Sequence, residues 1–227
     1  MEKLTDWSCR LVPDALSGAA PAAAAIADLH ARFGFDRFYV TMDYYDTRES
    51  VTAFRMRHDR AMEDMRALLG RSVRLYPLAA IQLSPTLAEE REIERLLLPD
   101  GHLPIALPLS AYADWIDTAL NRLLYKRHLS LLLLSFELCT VLYPPDVIQK
   151  LMRIPGAAFQ FGYKSLCDPN VCRVIAALLR RGAPILLGTS LNAPEKCAAF
   201  DLDEYLAGAA QHLNDAELRR LNAYSRA

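Results

Sequence analysis

The chain has 227 residues, 52% of them hydrophobic, with 26 basic and 27 acidic side chains. That length carries a substantial buried core, and the apolar content excludes a disordered or collagen-like chain. A formal charge of −1 supplies no bulk attraction to nucleic acid or to an anionic membrane, so neither is expected as a partner.

No apolar run approaches the roughly 18–20 residues of a membrane span; the longest, Leu129 to Leu134, has the size of a strand. Glu2, Lys3 and Asp6 stand close together near the start, with no long apolar stretch among them. A secretory signal is therefore not expected. Cys9, Cys139, Cys167, Cys172 and Cys197 form no C-x-x-C pair. Neither a disulfide framework nor a four-thiolate zinc site is expected, and reduced thiols in the cytoplasm are.

In chain order, Trp7 to Val12 reads as a weak first strand, and the alanine-rich stretch from Ala19 as a helix with Pro21 in its first turn. Phe38 to Met42 is a β-rich run. Ser50 to Leu69 follows as a helix capped by Ser50, with Phe54, Ala61, Met65 and Leu68 near one face. Val73 to Leu83 is strand-like, and Pro85 to Leu98 reads as helical. Leu103 to Leu109 is a short apolar run, after which Ser110 opens a helix with Trp115, Ala119 and Leu123 in one stack. Ser130 to Leu134 is almost wholly leucine, as suits a buried parallel strand. Pro144 and Pro145 start a helix that ends near Pro155–Gly156, and Ala157 to Phe161 is a strand. Asp168 caps a helix with Pro169 at its first position and Gly182 past its end. Ile185 to Leu187 is the last strand, and two helical segments finish the chain.

This is about seven β-then-α units in uninterrupted series, which favours an α/β parallel barrel spanning 1–227 as one domain. In such a barrel the chemistry sits just after each strand. The positions to inspect are Ser8 and Arg10, Asp43 to Asp46, the region of Ala80, Ser135 and Glu137, Tyr163 and Lys164, and Ser190 to Asn192.

These strand ends resemble those of a known superfamily. D-W-S-C-R-L-V-P-D-A-L-S-G-A (Asp6 to Ala19) keeps the frame of a family opening at Asp6, Cys9, Pro13 and Gly18. F-G-F-D-R-F-Y-V-T-M-D-Y-Y-D-T-R-E-S matches a second motif at Thr41, Tyr44, Tyr45, Arg48, Glu49 and Ser50. Q-F-G-Y-K-S-L keeps Gln160, Ser165 and Leu166 of a third, and L-L-S-F-E-L-C keeps Glu137 of a fourth. The pattern resembles the polymerase-and-histidinol-phosphatase (PHP) superfamily, in particular the metal-dependent protein-tyrosine phosphatases of bacterial capsule and exopolysaccharide regulation. The resemblance implies a distorted seven-stranded (β/α)7 barrel, related to the TIM barrel, with a cluster of divalent metals at its mouth.

At the positions where the family holds that metal, this chain has other residues. Ser8, Arg10, Asp43 and Ser135 stand for histidines, Ala80 for a bridging glutamate, and Ser190 and Asn192 for an aspartate and a histidine. Ser17 replaces a further aspartate, and Leu138 an arginine. Hydroxyl and methyl groups are poor donors, and a guanidinium opposes a cation. No metal cofactor is therefore expected. The leading reading is a pseudo-enzyme whose mouth, built from Arg10, Asp43, Tyr44, Tyr45, Arg48, Glu137 and Lys164, binds an anion. The family link suggests a phosphotyrosine-bearing protein or a regulator of polysaccharide synthesis as partner. The alternative is an active, manganese-dependent phosphoesterase using Asp43, Asp46 and Glu137. A third reading is a scaffold working through its outer helices.

Two other signals carry little. His30, His58, His102, His128 and His212 are scattered, with no pairing at metal-ligand spacing. Cys167 and Arg173 have the C-x-x-x-x-x-R spacing of cysteine phosphatases, but no glycine lies between them and Pro169 removes a backbone donor. Helix capping explains Asp168–Pro169 better.

Overall fold

The computed structural model describes residues 4–12 and 19–226. Pro13, Ser17 and Gly18, which belong to the opening motif, lie outside them, as do Glu2 and Lys3. Seven parallel strands follow one another in space as in sequence: β1 (Leu4–Cys9), β2 (Phe35–Tyr44), β3 (Arg74–Gln82), β4 (His102–Ala106), β5 (Ser130–Leu134), β6 (Ala158–Gly162) and β7 (Ile185–Gly188). Among the described residues eight α-helices alternate with or follow them: α1 (Ala20–Phe33), α2 (Val51–Leu69), α3 (Asp114–Asn121), α4 (Phe136–Leu142), α5 (Pro145–Leu151), α6 (Pro169–Arg180), α7 (Leu202–Ala210) and α8 (Asp215–Arg226). No helix among the described residues is long and apolar enough to cross a membrane.

The helix ends follow local chemistry. Ser50 accepts the Ala53 N–H at 3.2 Å, and Asp168 accepts that of Asn170 at 2.8 Å. Each satisfies an amide that the helix itself leaves open. Pro21 and Pro169 sit in first turns, and Gly34 closes α1 at φ 78°.

Alternation along the strands sorts the core into two parts. Trp7, Leu78, Ala80, Leu132, Leu134 and Leu186 form an inner cluster, with Trp7 stacked on Tyr39. On β2 the opposite set, Phe38, Val40, Met42 and Tyr44, joins the larger core beneath the helices.

The first and last strands meet at a seam that nearly closes the barrel. Ser190 N–H donates to Ser8 O at 2.8 Å and Arg10 N–H to Leu191 O at 2.9 Å. Asp6, fully buried, accepts the Thr189 N–H at 2.8 Å, the Thr189 hydroxyl at 2.7 Å and the Ser8 N–H at 3.1 Å. Gly188 makes this approach possible: a Cβ there would lie 2.5 Å from Ser8 N.

Several features differ from the sequence reading, including the helix from Pro145, which ends at Leu151 and not near Pro155–Gly156. β1 runs Leu4–Cys9 rather than from Trp7 to Val12, because its pairing with β2 begins at Leu4. Pro85 to Leu98 is not one helix but two 3₁₀ turns, Leu87–Glu89 and Ile93–Leu96. Arg127 Nη1 takes the Ala88 and Glu90 carbonyls at 2.9 and 3.0 Å, acceptors an α-helix would have used. Ser110 does not open α3, which starts at Asp114 after an extended Ala113. Leu68 is 57% exposed and lies off the buried face of α2.

Candidate functional site

At the C-terminal rim of the barrel, alternation places Asp43 inward on β2, paired in register with Ala80. Arg10, just past β1, donates from Nη1 to Asp43 Oδ1 at 3.0 Å. Gln82, at the end of β3, donates to the same oxygen at 3.1 Å. Arg57 reaches over from α2, bonding Glu49 at 2.6 Å and the Asp43 carbonyl at 3.4 Å. The Arg48 guanidinium lies 4.1 Å from the Tyr45 ring centroid. No carboxylate pairs with Arg48 among the described residues. Together these groups line a cleft of about 480 Å³ in which three guanidiniums face two carboxylates, Asp43 and Glu49.

The other side of the rim is built on β5, β6 and β7. Ser135 and Ser190, just past the ends of β5 and β7, stand at φ 49° and 52°. For a residue with a Cβ that conformation costs about 1–2 kcal/mol. Ser135 N–H donates to Gln160 Oε1 at 2.8 Å, which secures the first of the two turns. Glu137, in the first turn of α4, turns its carboxyl toward Gly162. Burial pushes that carboxyl up to about 7, against the pull of backbone N–H groups and the Arg10 charge. Glu137 Oε2, Ser190 Oγ and Gln160 Nε2 are buried with no hydrogen-bond partner among the described residues. A cavity of about 710 Å³ opens here, lined among others by Glu137, Gly162, Lys164, Ser190 and Asn192. Asn192 also lines the arginine cleft, so the two share a wall.

The structure thus brings Arg10, Asp43, Tyr45 and Arg48 into one cleft and Glu137, Lys164 and Ser190 into the next, with Asn192 between. Tyr44 belongs to neither. It points outward from β2 against Phe54, and its hydroxyl donates to Glu90 at 3.3 Å. Burial and the Glu90 charge raise its pKa, so it stays a neutral phenol. Ala80 is sealed in the inner cluster one layer below Gln82. Ser8 is buried in the β1–β7 seam. Gln82 and Arg57 are rim residues that the sequence reading did not single out. The period-two series Leu78, Ala80, Gln82 would have found the first; nothing local marks the second.

Asp43, Asp46 and Glu137 are not gathered into one acidic set. Asp46 accepts the Ser84 and Thr86 hydroxyls at 2.7 and 2.8 Å, while Asp43 serves Arg10 and Gln82. Among the described residues no group of three or more His, Cys, Asp or Glu is placed to hold a metal ion. Three histidines have backbone partners: His30 on Phe35 O, His58 on Val40 O and His102 on Gly156 O. Arg173 points back along α6 onto Pro169 O and Asn170, away from any cradle for Cys167.

No protein-family profile matches the chain, and no curated protein does. Solved structures do. A structure from the pair YwqE of Bacillus subtilis and CpsB of Streptococcus pneumoniae, described as unique metal-dependent tyrosine phosphatases, superposes at TM-score 0.73 and 17% identity. The match covers 97% of this chain and 92% of the other. The chain has the fold of these phosphatases, a parallel α/β barrel of seven strands. Its residues do not fit the metal that such enzymes use. Asp43 is held by a guanidinium and an amide, Ala80 offers no donor atom, and Ser8 is buried. Divalent metals need imidazole and carboxylate donors instead.

Proposed function

We propose that this chain is a phosphatase-fold barrel that works by binding an anionic group and does not hydrolyse it through a metal cluster. The observation that carries this reading is the Arg10–Asp43 pair at 3.0 Å. It puts a fixed positive charge where a cation would otherwise be held, and it engages the one carboxylate among the altered positions. Arg48, whose guanidinium lies over the Tyr45 ring, lines the cleft and pairs with no carboxylate among the described residues. A planar fork of that kind suits the oxygens of a phosphate. By analogy with the tyrosine phosphatases of the same fold, the group bound is a phosphotyrosine on a partner protein. Regulation of surface polysaccharide in the cytoplasm is the setting that the sequence resemblance implies.

Titration calorimetry with a phosphotyrosine peptide and its unphosphorylated twin tests the binding. Arg10→Ala combined with Arg48→Ala is expected to weaken phosphopeptide binding by at least ~10-fold, at about 1.5–3 kcal/mol per charge-assisted bond. Equal affinity of the two peptides, or of the two proteins, would discard the reading. Tyr44→Phe, which touches only Glu90 and the outer core, leaves affinity within about twofold.

The metal question has its own measurement. Protein purified without chelator is expected to carry well under about one tenth of an equivalent of manganese, iron or zinc. It is also expected to hydrolyse p-nitrophenyl phosphate no faster when manganese is added. Manganese-stimulated turnover that vanishes in Asp43→Ala would favour the catalytic alternative.

A further inference from the structure

The cavity beside the arginine cleft has chemistry of its own. Glu137 Oε2 and Ser190 Oγ are buried there without a hydrogen-bond partner among the described residues. A buried polar atom left unpaired costs about 1–3 kcal/mol, and the two side chains that carry these atoms both border Gly162, where a ligand's hydroxyl groups would pair with them. Gly162 keeps that place open. A Cβ on it would lie 3.2 Å from Glu137 Oε1 and 3.3 Å from Ser190 Oγ.

The remaining lining narrows the ligand. Lys164 and Lys196 stand beside Glu137 and Glu195, so the lining presents both donors and acceptors and is not a cradle for one sign of charge. Asn192 adds an amide, its Oδ1 accepting from Lys196 Nζ at 2.7 Å. Phe200 and Tyr205, packed edge to face, supply an apolar wall. At about 710 Å³ the space suits a small molecule and not a peptide segment.

We infer that this cavity is a binding site for a neutral polyhydroxylated molecule of monosaccharide size, with Glu137 and Ser190 taking its hydroxyl protons beside Gly162. Carboxylate, amide and ammonium groups together match the alternating donors and acceptors of adjacent hydroxyls. The aromatic wall matches the apolar face of a ring. This site is distinct from the arginine cleft, and substitutions at Arg10 and Arg48 tell the two apart.

Ligand-observed saturation-transfer NMR and calorimetry on the full chain test it, with D-glucose, D-galactose, N-acetylglucosamine and myo-inositol as probes and cyclohexanol as the control without adjacent hydroxyls. At least one probe is expected to bind with a Kd of about 0.1–10 mM, and cyclohexanol at least ~10-fold more weakly. Gly162→Ala fills the space at a position whose backbone, φ −74° and ψ 139°, accepts any residue. It is expected to weaken that probe by ~10-fold or more, as is Glu137→Leu, with the thermal transition of Gly162→Ala within a few degrees of the parent. Arg10→Ala with Arg48→Ala keeps the affinity within about twofold. Absence of binding by all four probes, cyclohexanol binding as well as they do, or unchanged affinity in a folded Gly162→Ala protein would overturn the assignment. Loss of binding in the double arginine variant would do so too, by moving the ligand to the other cleft.

Discussion

Gly188→Ala is expected to lower the melting temperature by roughly 6–12 °C, a loss of about 3 kcal/mol for a domain of this size. The added methyl would fall 2.5 Å from Ser8 N, 2.7 Å from Ser8 Cβ and 2.9 Å from Ser8 Cα. Two of those atoms are backbone, which cannot swing aside as a side-chain tip does. The strands must separate, and the seam they form is a polar one. Asp6 holds Thr189 and Ser8 there through three hydrogen bonds in complete burial. Stretching them leaves a buried carboxyl and buried amides unpaired, each at about 1–3 kcal/mol. Gly162→Ala is the internal comparison: it meets only side-chain ends, so its cost is small. Thermal denaturation of both variants followed by circular dichroism measures the difference. Equal melting temperatures for Gly188→Ala and the parent protein would mean that the first and last strands do not close the barrel.

Glu137→Gln is expected to stabilise the protein at pH 8 by up to about 2–3 kcal/mol, and the gain is expected to vanish near pH 4.5. Burial raises the Glu137 carboxyl from its ordinary 4.5 to about 7. Between those values the folded chain binds the proton and the unfolded chain releases it. Stability therefore falls as pH rises from about 4.5 to about 7, and the neutral glutamine removes that loss. Asp6 adds a slope of the same sign between 3.8 and about 6, because its burial outweighs the hydrogen bonds from Thr189 and Ser8. The parent keeps both slopes and the variant only the second. Urea unfolding midpoints at pH 5, 6.5 and 8 report this directly. Parallel pH profiles for the two proteins would show that Glu137 ionises as an exposed carboxylate does.

Much of the scaffold was legible in the chain. The β-then-α order depends on apolar spacing and on residues that act within one turn, such as Ser50, Pro169 and the glycine after α1. Those signals are local, so they survive without knowledge of the fold. Pro85 to Leu98 failed because the deciding group, Arg127, comes some forty residues later and takes the carbonyls from outside. The motif around residues 43–50 drew attention to this rim, yet it did not separate Asp43 from Tyr44. Adjacent strand residues face opposite ways, and only the register assigns which of the two looks inward.

By itself the sequence determined the parallel seven-strand order and the helix caps at Ser50 and Asp168, since residue type and period suffice for those. Tertiary structure alone decided that Arg10 meets Asp43, that Gln82 and Arg57 join the rim, and that Glu137 and Ser190 face one cavity across Gly162. Those relations arise where the ends of separate strands converge, and long-range closure, with its burial, is what sets them.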